Sequence, residues 1–262
     1  MRDILIIANL KMNMVHRRDV VSYCDRVRAA MATAPDLKKG VRLVICPSAP
    51  HFDVVQRLAH VEPRIALGAQ DVFWERRGSY TGQLSPVTLA DSGVRYALVG
   101  HSEQRTYGHV SDEEIGKKVA ALILAEITPV IFVGETEYER AAGRIKDALT
   151  SHMRAIMQHV RAEDIARCVF VYEPVWAIGA TTPPTPEELM SARILLQKII
   201  ADTYGATVAH MVQFLYGGSV TPQNAAMFTP DLGIEGVVLG RAGTQAPSFV
   251  QVAATIAHQH RT

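Results

Sequence analysis

Residues 168–179 read CVFVYEPVWAIG. Five apolar residues in succession suit a strand covered on both faces, because a strand with one wet face alternates instead. Glu173 follows directly. A carboxylate at the end of a buried strand is costly unless it is exposed, paired or used. Pro174 then fixes the chain direction, and Trp176-Ala177-Ile178-Gly179 continues with apolar and small residues.

Runs of the same kind recur along the 262 residues. They are ILIIAN from Ile4, VRLVIC from Val41, RIALGA from Arg64 and YALVG from Tyr96, then PVIFVG from Pro129, CVFVY from Cys168, VQFLYGG from Val212 and GVVLG from Gly236. Helix starts lie between them. Ser111 with Glu114 three residues on predicts a capping box, and Thr185-Pro186 and Thr221-Pro222 predict N-caps with proline in the first turn. No Pro/Gly/Ser-rich linker divides the pattern. Eight strands, each followed by a helix, point to one (β/α)8 barrel over residues 1–262; periodicity alone leaves a doubly wound sheet as the alternative.

In such a barrel the residues just past each strand line one rim, where active sites sit. Here they are Asn9-Leu10-Lys11, Pro47-Ser48, Gln70-Asp71, His101-Ser102-Glu103, Gly134-Glu135, Glu173, Gly217-Gly218-Ser219 and Gly240-Arg241. A lysine, a histidine and several carboxylates converge on one mouth with glycines on its far side. That composition suits catalysis on an anionic substrate.

The remaining composition narrows the partners. With 48% hydrophobic and 20% charged residues and a formal net charge of +1, the chain has neither a basic patch for nucleic acid nor one for an anionic membrane. No apolar run reaches the roughly 18 residues of a membrane span. The N-terminal MRDILIIANLKMN reads as a first strand rather than a signal peptide. Cys24, Cys46 and Cys168 form no metal or redox motif, so a cytoplasmic location is expected.

The motifs ANLKMN, GHSEQR, YEPVWAIG and YGGSV, in this order and at these strand ends, resemble the triosephosphate isomerase family from Asn9 to the strand at Gly236. The resemblance implies a barrel that interconverts dihydroxyacetone phosphate and glyceraldehyde 3-phosphate with no cofactor and no metal. It implies Glu173 as base, His101 as neutral electrophile, Lys11 and Asn9 as charge stabilisers, and Glu103 as the glutamate that contacts the lysine. It implies phosphate contacts at Gly179, Gly218, Ser219, Gly240 and Arg241, and a lid hinged at Pro174 and Trp176. A helix N-terminus after Ser102 is expected to hold the His101 pKa down. The resemblance also implies a homodimer through the loop from Gln70 to Pro86, whose Phe73, Trp74 and Tyr80 would be an aggregation liability if left bare.

Several positions depart from the family pattern. The lid's usual Gly-Thr-Gly-Lys-Thr-Ala is Gly179-Ala180-Thr181-Thr182-Pro183-Pro184, a stiffer far hinge that predicts altered lid motion. Arg241 replaces a glycine; an outward-turned side chain is preferred over a guanidinium on the phosphate, because the anion site is complete without it. Leu10 and Phe132 stand for the usual Trp and Cys. Gln83 and Gln104 replace an acid and a base that could meet across the dimer, so that neither charge is left alone. A related isomerase for a tetrulose phosphate, an inactive binding barrel, and a barrel of the indole or histidine biosynthesis type are the competing readings; the last has no use for the YEPVWAIG lid.

Overall fold

The computed structural model describes every residue except 1, 35, 36, 38, 39, 181, 182, 229, 261 and 262, and the side chain of residue 230. Eight parallel strands pair in sequence order and close into a barrel. They are β1 (Ile4–Asn9), β2 (Val41–Cys46), β3 (Ile65–Ala69), β4 (Tyr96–Val99), β5 (Thr128–Val133), β6 (Val169–Tyr172), β7 (Gln213–Gly217) and β8 (Gly236–Leu239). Each coincides with one of the apolar runs. The helices are α1 (Arg17–Ala32), α2 (Phe52–Val61), α3 (Pro86–Asp91), α4 (Ser102–Tyr107), α5 (Asp112–Leu124), α6 (Glu137–Ala141), α7 (Ile145–Met157), α8 (Pro186–Tyr204), α9 (Ala206–Met211) and α10 (Ala246–Gln259).

The unbroken apolar runs follow from two cores. Alternate strand residues point into the barrel, where Leu5, Ile7, Val44, Leu98, Phe132, Val171 and Leu215 pack together. Their neighbours Ile6, Leu43, Ile45, Val99, Ile131, Phe170 and Phe214 point outward under the helices. Because side chains alternate along a strand, covering both faces removes the polar half of the pattern. The cysteines sit in both layers: Cys46 inside the barrel, Cys24 and Cys168 under the helices, all buried and unpaired. Burial raises the thiol pKa of Cys24 and Cys168 to about 12 and that of Cys46 further still.

Two of the three expected helix starts are present. Ser111 and Glu114 exchange hydrogen bonds at the head of α5, and Thr185 and Glu188 do so at the head of α8. Thr221 caps no helix. Its N–H donates to Asn224 Oδ1 (2.8 Å) while Asn224 Nδ2 donates to Ser219 O (2.9 Å). The turn that Thr221 opens passes into short 3-10 turns at Ala225–Met227 and Pro230–Leu232, and no helix is described between β7 and β8. No described helix is long and apolar enough to cross a membrane.

Closure depends on the pairing of β1 with β8, where Leu5 lies opposite Gly236. A Cβ on Gly236 would stand 1.9 Å from the Leu5 carbonyl oxygen and 2.6 Å from Leu215 Cδ2. Gly236→Ala must therefore open this seam, and it should cost about 3 kcal/mol or more in a urea melt. An unchanged midpoint would show that the seam yields at no cost.

Candidate active site

The C-terminal strand ends bring Asn9, Lys11, His101, Glu173, Gly179, Gly218, Ser219, Gly240 and Arg241 around one cavity of about 630 Å³. Glu173 is buried, with 6% of its surface exposed. Its Oε2 accepts the Ser102 N–H (2.9 Å) and its Oε1 lies 3.1 Å from His101 Nε2. Burial pushes its pKa up to about 7, opposed by the Ser102 hydrogen bonds and the charge of Lys11. Gly134 makes this placement possible, because a Cβ there would lie 1.9 Å from the Glu173 carbonyl oxygen.

His101 is the N-cap of α4, and its Nδ1 accepts the Glu103 N–H (3.1 Å). With that nitrogen an acceptor, the ring proton belongs on Nε2, facing Glu173. The His101 pKa falls to about 4, chiefly through burial, then through the charge of Lys11, against the opposing pull of Glu103. The pKa is depressed in the expected direction, but burial and the charge of Lys11 are what lower it. Phe132 contributes to the burial: its ring meets the imidazole edge-on at 5.1 Å and is itself buried inside the barrel.

Lys11 adopts a left-handed backbone (φ 50°), uncommon for a residue with a side chain. Asn9 Oδ1 accepts its N–H (3.0 Å), and the amide of Gln70 and the hydroxyl of Ser48 donate to its carbonyl (2.9 and 3.3 Å). Its ammonium donates to Glu103 Oε1 (2.7 Å). Glu103 thus both opens α4 and contacts the lysine, so the two readings of that residue are compatible.

On the far side, Gly179 is left-handed (φ 73°) and Ser219 Oγ donates to Ala177 O (3.0 Å), which links the β7 turn to the lid. Gly218 has no room for a side chain, since a Cβ would lie 2.1 Å from Tyr216 Oη. Gly240 follows β8, beside the Lys11 side chain. Arg241 is exposed, borders the cavity and has no ion-pair partner among the described residues. Thr181 and Thr182, two of the lid positions that depart from the family pattern, lie outside the described residues. No group of His, Cys, Asp and Glu among the described residues is placed to hold a metal ion.

Two contributors escaped the sequence reading, and a third, Glu135, was read there only as a rim residue. Glu135, fully buried, accepts from Tyr172 Oη (3.0 and 3.1 Å) and from Trp176 Nε1 (2.7 Å), which pins the near hinge of the lid. Arg140 stacks on the Trp176 ring, 3.7 Å from its centroid, and donates to Glu188 Oε1 (2.6 Å). The other Glu188 oxygen caps Thr185 (2.8 Å), so α6 holds both ends of the lid. Strand ends point to Glu135; nothing in the sequence pointed to Arg140 or Glu188. In the loop from Gln70 to Pro86, the Phe73 ring packs at a tilt against Trp74 (4.0 Å between centroids) and Tyr80 (4.7 Å). Phe73 and Trp74 are therefore half-buried and only Tyr80 is exposed, a correction to the expectation of three bare rings.

The family profile described as "Triosephosphate isomerase" matches residues 4–256. The chain is 39% identical over 213 residues to a triosephosphate isomerase of Roseiflexus sp. (strain RS-1), covering 80% of this chain and 83% of that one. It is 40% identical, with the same coverage, to that of Roseiflexus castenholzii. It is 34% identical over 252 residues to that of Dictyoglomus turgidum, 95% of this chain and 98% of that one. With its barrel, its strand-end residues and this match along nearly the whole length, the chain belongs to the triosephosphate isomerase family.

Proposed function

We propose that this chain interconverts dihydroxyacetone phosphate and D-glyceraldehyde 3-phosphate, with the sugar phosphate as its only small-molecule partner and residues 1–262 acting as one unit. The observation that carries the reading is Glu173, buried with no cation partner among the described residues and facing Nε2 of a neutral His101.

Substrate displaces Glu173 Oε1 from His101 Nε2, which frees that N–H for the carbonyl oxygen. The Glu173 carboxylate takes a proton from the hydroxyl-bearing carbon, and the electrons of that C–H bond form the enediolate double bond. His101 Nε2–H, Lys11 and Asn9 stabilise the charge developing on oxygen, where preformed donors act without reorganising. His101 Nε2 gives its proton to the former carbonyl oxygen and regains one from the adjacent hydroxyl, and Glu173 returns its proton to the neighbouring carbon, which completes the isomerisation with no net change in protons or electrons. The glycine turns at Gly179, Gly218-Ser219 and Gly240 offer backbone N–H groups to the phosphate. The lid, strapped by Arg140 and Glu135, excludes water from the intermediate. The prolines of its far hinge favour a stiffer pivot.

Turnover of glyceraldehyde 3-phosphate tests the reading. Glu173→Gln keeps the shape and removes the base, so kcat should fall by about 10³-fold. In the parent protein a protonated Glu173 cannot accept a proton, so kcat/KM should drop about tenfold per pH unit below about 7 and level off above it. His101, neutral down to about 4, adds no limb in that range. A flat profile from about pH 5.5 to 8 would remove burial as the source of basicity.

Exposed as it is, the Arg241 guanidinium acts on the phosphate through solvent and is strongly screened. Arg241→Gly should raise KM by no more than about twofold; a tenfold rise would mean a direct contact.

The loop from Gln70 to Pro86, with Tyr80 at its tip, together with Met12 (83% exposed) and Val15 (64%), supports a homodimer that covers these side chains. The buried, unpaired thiols support a cytoplasmic location. Sedimentation equilibrium should give twice the chain mass, and an active monomer would contradict the assembly.

A further inference from the structure

We propose that Gln104 is a positioning residue that couples His101 to Lys11 through Gln70, which rests on the reading of His101 and Lys11 as the groups that stabilise the intermediate. Three side-chain amide bonds form a belt across the mouth. The His101 N–H donates to Gln104 Oε1 (3.1 Å). Gln104 Nε2 donates to Gln70 O (2.7 Å), with a weaker contact to Leu98 O (3.5 Å). Gln70 Nε2 donates to Lys11 O (2.9 Å) and to Cys46 O (3.0 Å). The belt therefore runs from the end of β4 over β3 and β2 to the end of β1.

Its chemistry admits few side chains. The residue at position 104 must accept at one end and donate at the other. The arginine of the family pattern carries only donors and could not receive the His101 N–H, and a glutamate carries only acceptors and could not reach Gln70 O. Both partners are backbone groups of fixed polarity, so the orientation of the Gln104 amide is not in question. The belt ends where support is needed, at the left-handed Lys11, a conformation that persists only when its surroundings hold it. With its amide engaged inside the chain, Gln104 needs no partner such as Gln83 from across a dimer to satisfy it.

The two ends hold the donors for the same developing charge. A displacement of either by a fraction of an ångström weakens the transition state more than the bound substrate. The belt should therefore act on kcat rather than KM, and cutting it at either glutamine should have the same result.

The experiment compares Gln104→Met, Gln70→Met and the double variant for kcat, KM and thermal midpoint, and records the ring ¹⁵N signals of His101 by NMR. Each single change should lower kcat about tenfold with KM within about twofold, and the double variant should be no worse than the worse single. The His101 ring signal should move in Gln70→Met although Gln70 does not touch that ring. Losses that multiply to about 100-fold, an unchanged kcat with a lowered midpoint, or a His101 signal unmoved by Gln70→Met would each overturn the coupling. The ring signal is readable without turnover, so failure of the isomerase reading and failure of the belt give different results.

Discussion

Most of this structure answers one constraint: a carboxylate must be buried at the mouth without a cation beside it. A direct Lys11–Glu173 pair would hold the carboxylate charged, pull its pKa down and spoil it as a base. The arrangement avoids this by giving the Lys11 ammonium to Glu103, so that only part of its field reaches Glu173. Glu173 keeps two weaker partners, the Ser102 N–H and the neutral imidazole of His101. The same burial that raises one pKa lowers the other, so the acid and the ring are moved apart in the directions their roles require.

The wall and the mouth of the barrel are built by different physics. The wall is apolar on both faces, and its closure needs no side-chain polarity. The mouth is held by side chains that satisfy backbone groups left at strand ends and at the start of α8: Asn9 and Gln70 at Lys11, Gln104 at His101, Glu188 at Thr185. The left-handed backbone of Lys11 is held there by neighbouring elements. The lid follows the same rule, with Arg140 stacked on one hinge and hydrogen-bonded to the other.

The wall was legible in the sequence because burial on both faces leaves an unbroken apolar run, as in VRLVIC and PVIFVG. The base and the imidazole were legible because they stand directly after such runs and carry family motifs. Thr221-Pro222 misled, since the capped turn it opens passes into 3-10 turns rather than a helix. The pairing of Gln104 with Gln70 was not legible at all. It joins residues 34 positions apart through a carbonyl oxygen, and backbone acceptors leave no mark on composition or periodicity. Arg140 was hidden for a related reason: a solvated charge and a stacked one read alike until the ring beneath it is known.

The distribution of the thiols has a practical meaning. Cys46 is sealed inside the barrel, whereas Cys24 and Cys168 lie between barrel and helices. None can react with an alkylating reagent until its own layer parts, because reaction needs both access and a thiolate. Nature has thus placed two clocks in one chain. The labelling rate at Cys24 and Cys168 times the lifting of the helical sleeve, and that at Cys46 times the breach of the barrel, so the order in which this architecture comes apart is written in its own sulfur chemistry.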